Sequence, residues 1–256
     1  MRILILDIET SPNLAYVWGL RNQFIAINQL EQSSEMISWA AKWRGNDEVF
    51  FGSVHHNGRE QMLEGLHEML EEADVVVTFN GERFDLPIIN QEFLFAGMNP
   101  PKPYMSVDLY RTVSRRFRTP SNKLAYWLKR LGLEAKADTG GFELWKSCML
   151  GDPVAWSTMM EYNTADVVRT EQLMEKILPW IPNFPVEVLA DAVDQEGKPV
   201  VKCSCGSCRI QRRGYKRTAS GLHYRQYACM DCGRWFRERT HDKEVAKSPL
   251  VHAGQI

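Results

Sequence analysis

No apolar run in this chain of 256 residues reaches the roughly 18 that a membrane-crossing helix needs, so none is expected. A basic-then-apolar leader is also missing ahead of the first strand, and a cytoplasmic location follows as the expectation, in a bacterium or a phage-infected host. Cysteine is scarce: Cys148 is the one cysteine before residue 203, and the other five crowd between Cys203 and Cys232. In a reducing cytoplasm such clustering favours a metal over disulfides. Net charge is nearly absent, at −1, but that figure hides a division. Residues 1–197 hold 18 Lys/Arg against 28 Asp/Glu, a balance of −10, whereas residues 198–256 hold 13 against 4, a balance of +9. A tail so poor in acids is expected to meet a polyanion. What is present is ordinary for a soluble globular protein, 44% apolar and 25% charged. The length suits one large domain, or a domain of roughly 180–200 residues with a small appendage.

The stretch Met1–Thr10, MRILILDIET, organises the rest. Ile3 to Leu6 form a short continuous apolar run with the composition of a buried strand. Asp7 and Glu9 follow, and strand alternation puts both on one face with Ile8 on the other. Two neighbouring carboxylates repel. A hard divalent cation such as Mg²⁺ or Mn²⁺ between them removes the conflict. Otherwise one acid caps the next turn and the other is solvated.

Further along, Tyr16–Leu20, Phe24–Leu30, Met36–Trp43 and Val49–Val54 read as strands of a meander in one sheet. Arg59–Glu72 carries Met62, Leu63, Leu66, Met69 and Leu70 at helical spacing, a core stripe. Ala73–Phe79 is a valine-rich buried strand running into Asn80-Gly81-Glu82-Arg83-Phe84-Asp85. Asp85 falls at the first turn of a helix read as Leu86–Phe95, where it can reach the face of Asp7 and Glu9 or simply cap the helix. Asp108 ends a short strand, Tyr104–Leu109, and reads as structural. Tyr110–Phe117 and Leu124–Leu131 are helical, and the first carries arginines that are either solvated or phosphate-binding. Asp138-Thr139-Gly140-Gly141 is a loop, and Glu143–Met149 a helix. The last long helical stretch, from Val154 to Leu178, holds Tyr162 and Asp166 four apart on one face. Prolines 179, 182 and 185 end it. We place a body at 1–185, a polar connector at 186–200, a metal-binding tail at 201–242 and a disordered end at 243–256.

In the tail, Cys205-x-x-Cys208 and Cys229-x-x-Cys232 can place four thiolates tetrahedrally around Zn²⁺. The second pair is followed by Gly233, which lets backbone amides turn toward the sulfurs. The first offers three cysteines for two places, and Gly206 after Cys205 makes Cys203 a contender. Arg212, Arg213 and Lys216 lie among Tyr215, Tyr224 and Tyr227, a mixture suited to phosphates and bases. A tail this small is expected to need its metal in order to fold.

Asp7-x-Glu9, then Asn80-x-x-x-Phe84-Asp85, then Tyr162-x-x-x-Asp166 resemble, in order, the three motifs of the DEDD 3′–5′ exonucleases. The tyrosine is that of the DEDDy branch, which includes proofreading domains of family-B DNA polymerases. The resemblance covers about residues 1–180. The tail is similar to zinc ribbons of transposases and replication proteins, and the pairing resembles a stand-alone exonuclease of phage or bacterial type. The resemblance implies an α/β ribonuclease H-like fold, a mixed central sheet flanked by helices, with a small C-terminal zinc ribbon. It implies hydrolysis of nucleic acid, DNA favoured, from a 3′ end to 5′ mononucleotides in replication or repair. It also implies two Mg²⁺ or Mn²⁺ and one structural Zn²⁺. Asp7 would bridge the two ions, Glu9 and Asp166 would hold the one carrying the attacking water, and Asp85 would support the other. Tyr162 would orient the water, and Asn80 would touch substrate. Two cations about 3.5–4 Å apart activate water and stabilise both the attacking and the leaving oxygen. Tyrosine, with a free pKa of about 10, is a poor base at neutral pH, so orientation suits it better. A polymerase or other replication protein is the further partner such a pairing admits.

Two rivals remain from the residues. One is a structure-specific endonuclease of the same fold, which has no need of the Tyr-x-x-x-Asp pair. The other is a zinc-ribbon nucleic-acid-binding protein with an inactive body, which has no need of all four acids.

Overall fold

The computed structural model describes residues 1–133, 141–185, 187–193, 199–218 and 222–237. The chain divides into two compact units, Met1–Met174 and Glu175–Ile256, each described by itself.

The first unit is built on β1 (Ile3–Thr10), whose Leu4, Ile5 and Leu6 are all but fully buried. A two-residue strand β2 (Leu14–Ala15) pairs with β3 (Leu30–Gln32), and β4 (Met36–Trp43) and β5 (Phe50–Ser53) follow. Next come α1 (Arg59–Glu72), β6 (Val75–Thr78), α2 (Asp85–Phe95) and β7 (Met105–Asp108). The helices α3 (Leu109–Arg116), α4 (Leu124–Arg130), α5 (Phe142–Met149) and α6 (Pro153–Ile177) complete it. The sheet order is β5-β4-β1-β6-β7. β1 is antiparallel to β4 and parallel to β6, so the sheet is mixed. Being covered on both faces, β1 needs a continuous apolar run, and ILIL supplies it.

The main core joins β1 and β4 to α1 and α2, through Leu4, Leu6, Trp39, Met62, Leu66 and Phe93. Burying each such side chain is worth about 1.5–3 kcal/mol. Trp39 Nε1 donates to the Met62 carbonyl at 2.8 Å, fixing α1 against β4. On α6, Glu171 pairs with the buried Lys42 of β4 and accepts from Gly45 N at 2.8 Å. That docks the long helix on the sheet.

One expectation is corrected, and one stretch holds strands where none was read. Tyr16–Leu20 and Phe24–Leu30 are not strands of the sheet: pairing is confined to Leu14–Ala15 and Leu30–Gln32, with a 3₁₀ turn at Ile27–Gln29. Apolar composition misleads there, because Trp18, Leu20 and Phe24 are over 90% exposed and have no core to enter. The stretch 186–200, expected as a connector, holds strands in its described residues. β8 (Glu187–Val193) pairs antiparallel with β9 (Pro199–Lys202). Valines at 188, 193, 200 and 201 favour extended backbone on both sides of a polar centre. Asp138–Gly140 and the end 243–256 lie outside the described residues.

The second unit also carries a three-stranded antiparallel sheet of β10 (Ile210–Arg217), β11 (His223–Cys229) and β12 (Trp235–Arg237). Among the described residues, no helix is long and apolar enough to cross a membrane.

Candidate active site and candidate zinc centre

β1 outruns its parallel neighbour. Its ladder with β6 covers Ile3 to Ile5, leaving the later amides on that side without a strand partner. Asp85 takes over: its Oδ1 accepts from Ile8 N at 3.1 Å. The first residue of α2 is thereby tied to the strand end between Asp7 and Glu9. On the other side β1 stays paired with β4 until a register shift between Glu9 and Thr10. Such a bulge re-aims side chains at a strand end.

The loop that delivers Asp85 is held from two sides. Asn80 sits at φ +70°, and a side chain on Gly81 would overlap that of Thr78. Glycine is required there by space. Asp108 Oδ1 accepts from Asn80 N at 2.9 Å and from Tyr110 N at 2.9 Å, so one carboxylate anchors the loop and caps α3. The structural role expected of Asp108 is what is found. Arg111 of α3 pairs with Glu82 of the same loop.

Helix α6 brings Tyr162, Asn163 and Asp166, all at least nine-tenths buried. Asn163 Nδ2 donates to Asp7 Oδ2 at 2.7 Å, and Asn163 Oδ1 accepts from Ser38 Oγ of β4 at 3.1 Å. Asp166 Oδ1 accepts from Arg169 Nη1 at 3.3 Å. Tyr162 packs with Ile37, Trp156 and Met159, and meets the Trp145 ring edge-on at a centroid separation of 5.9 Å. Hydrogen bonds thus link the first motif to the second through Ile8 and Asp85. They link it to α6, the helix of the third motif, through Asp7 and Asn163.

Asn163, Ser38 and Arg169 were not among the candidates. Asn163, Asp166 and Thr170 recur at helical spacing, but in the sequence such a polar stripe reads as a solvated face, and only the fold shows that it is buried.

The donor set fits hard divalent cations. All four acids offer carboxylate oxygen, and Asp85 and Asp166 are 3% and 4% exposed. Burial pushes the Asp85 carboxyl up to about 7, with the Asp108 charge adding to it and the Ile8 amide opposing it. A cation beside Asp85 would relieve that cost. The acids are not gathered as tightly as a single-ion cage. Among the described residues, the metal-capable side chains with donor atoms mutually within 4.8 Å are four cysteines.

Those four are Cys203, Cys205, Cys229 and Cys232: of the three cysteines offered for the first two places, the contender Cys203 lies in the cluster beside Cys205, and Cys208 does not. Cys203 Sγ lies 3.6 Å from Cys232 Sγ, and Cys205 Sγ lies 3.7 Å from Cys229 Sγ. Zn–S bonds of about 2.3 Å in a tetrahedron require sulfurs about 3.8 Å apart, so the cluster fits zinc. The reason Cys208 is left out is a turn. Cys203 N donates to the Ser207 carbonyl at 2.8 Å, with Gly206 at φ +92°, matching Gly233 at φ +75° after Cys232. Chain reversal at Gly206 carries Cys208 away, and it is exposed. Arg212, Arg213 and Lys216 lie exposed along β10.

The sequence profile of the RNase_H_2 family, described as RNase_H superfamily, matches residues 4–178. Among solved structures, the family B DNA polymerase of Pyrobaculum calidifontis aligns with a TM-score of 0.51 at 22% identity, over 70% of this chain and 24% of that one. RNase D of Trypanosoma brucei aligns with a TM-score of 0.43 at 20% identity, over 73% of this chain and 60% of that one. The chain therefore spans about a quarter of the polymerase it is similar to. No curated protein gives a significant sequence match.

Proposed function

The chain belongs to the RNase_H superfamily, and from that premise we propose that it is a metal-dependent 3′–5′ exonuclease of the DEDDy type acting on DNA. The observation that carries the proposal is the convergence of three sequence-distant motifs on the end of β1, through the Ile8–Asp85 and Asn163–Asp7 hydrogen bonds. For a structural scaffold, a carboxylate buried against a strand end that already carries Asp7 and Glu9 is a cost without a use. A phosphodiester hydrolase has.

In this reading Asp7, Glu9, Asp85 and Asp166 hold two Mg²⁺ or Mn²⁺. When bound, such ions lower the pKa of water and stabilise charge on the attacking and leaving oxygens. The chain's own residues fix the geometry. Asn163 holds one oxygen of Asp7 and is itself set by Ser38, while Arg169 sets Asp166. The Tyr162 hydroxyl orients the attacking water, its ring held by Trp145. Asn80, on the loop pinned by Asp108, touches the substrate near its 3′ end. The catalytic residues all lie in the first unit, Met1–Met174. Residues 201–242 form a zinc ribbon, with Zn²⁺ on Cys203, Cys205, Cys229 and Cys232, and Arg212, Arg213 and Lys216 gripping phosphates.

The test pairs a 5′-labelled linear single strand with a covalently closed circle in Mg²⁺. An exonuclease shortens the linear strand stepwise from its 3′ end and leaves the circle whole. Cutting of the circle would contradict the proposal and point to an endonuclease.

A further inference from the structure

Between β2 and β3 the chain throws out a loop whose apolar side chains face solvent. Tyr16 is 72% exposed, Trp18 100%, Leu20 95%, Phe24 91% and Ile27 88%. Soluble proteins seldom leave so many large apolar groups together without a use for them. The neck of the loop is built. Leu14 and Ala15 pair with Gln32 and Leu30, Tyr16 N donates to the Gln29 carbonyl at 2.9 Å, and Ser34 N donates to Asn13 Oδ1 at 2.8 Å.

We infer that this protruding loop, residues 16–27, binds unpaired bases of a nucleic-acid strand whose end lies at the β1 acids. The substrate class rests on the nuclease proposal. Two further observations favour this occupant. The first is charge. Between Glu9 and Glu31 the one charged residue is Arg21, whereas residues 1–185 as a whole hold 24 Asp/Glu against 18 Lys/Arg, a balance of −6. A polyanion is repelled by most of this body but not by the loop. The second is continuity with the site. Thr10, Ser11 and Pro12, which lead from Glu9 into the loop, line an open cavity of about 460 Å³ together with Phe142 and Trp145. That volume is in the range of small-ligand sites. Trp145 is also the ring that packs against Tyr162. A strand held at the acids would leave past this cavity toward the loop. Aromatic rings there stack on bases of any sequence, aliphatic ones wedge between base steps, and Arg21 adds a cation.

The experiment uses the full chain and the double variant Trp18→Ala/Phe24→Ala. Both side chains are so exposed that their removal leaves the fold intact. Affinity for a short 5′-fluorescein oligothymidylate is read by anisotropy without divalent ions, and steady-state cleavage is read in Mg²⁺. The expected result is binding weakened about tenfold or more, with KM raised to match, kcat moved less than about twofold, and recovery in Trp18→Tyr/Phe24→Tyr. Wild-type affinity and KM in the alanine variant, with cleavage intact, would overturn the inference and leave the nuclease standing. If the alanine variant binds normally but sediments as a smaller species than wild type, the loop joins copies of this chain and the inference also falls. A wild-type protein that neither binds nor cuts DNA or RNA would overturn the nuclease and the inference together.

Discussion

Asn163 and Asp7, 156 residues apart, meet in a 2.7 Å hydrogen bond from amide to carboxylate. Asn163 is fully buried, and its carbonyl oxygen is engaged by Ser38. The amide can therefore present only its N–H group to Asp7, and the carboxylate is held in one orientation.

Asn163→Leu keeps the volume but removes the donor to Asp7 and the acceptor for Ser38. A buried group left without its partner costs about 1–3 kcal/mol, so the melting temperature should fall by several degrees. Loss of a group that orients a metal ligand lowers activity about 10- to 100-fold. Ser38→Ala should lower it less, since Asn163 keeps its bond to Asp7. Equal losses would show that the amide does not act through Asp7. The measurements are thermal melting and kcat.

Asp85 gives the metal-free protein a pH signature. Its folded-state pKa, about 7, lies above the ordinary 3.8, so the folded protein binds the proton more tightly than the unfolded one. Stability contributed by this group is present at low pH and is lost as pH rises from about 4 to 7, most steeply midway, where the slope approaches about 1.4 kcal/mol per unit, and at about half that slope by pH 7. In excess chelator, Asp85→Asn should be flatter than wild type across that window, and inactive with Mg²⁺. Parallel pH–stability curves would refute the burial account.

Gly81→Ala should damage the site without touching an acid. The added methyl runs into Thr78, and relief moves the loop that carries Asp85. We expect destabilisation of more than about 1 kcal/mol and a fall in kcat. Pairing it with Thr78→Ala should recover part of both, which denaturant unfolding and cleavage assays would measure.

Thiol chemistry separates the cysteines. Cys208 is exposed and should react at once with a maleimide, whereas Cys148 is buried in the core and its thiol is pushed up to about 11 by burial and by Asp152. Cys148 should label only on unfolding. Cys203→Ser should lose zinc, and Cys208→Ser should keep it, as read by metal analysis. The reverse pattern would restore the Cys205–Cys208 pair.

Much of this was legible in single residues. The run Ile3–Leu6 had to be a doubly covered strand, and alternation fixed Asp7 and Glu9 on one face. The apolar stripe of α1 gave its limits at Arg59 and Glu72. Asp85 was placed at the head of α2, and Tyr162 and Asp166 on one helix, as found. Local periodicity carries those facts. It does not carry Asn163, whose partner is set only when α6 docks on β1. Nor does it distinguish Trp18 from a core tryptophan, because composition is blind to whether a partner surface exists. The choice of Cys203 over Cys208 turned on the backbone at Gly206, and spacing alone could not decide it.

As proposed, hydrolysis of phosphodiester bonds at the end of β1 requires the carboxylate of Asp7. The most direct measurement is digestion of a 5′-labelled single-stranded DNA in Mg²⁺ by wild type and by Asp7→Ala, with the released product identified. We expect a ladder shortening from the 3′ end, 5′ mononucleotides as product, and a folded but silent variant. Cleavage that survives in Asp7→Ala would contradict that requirement.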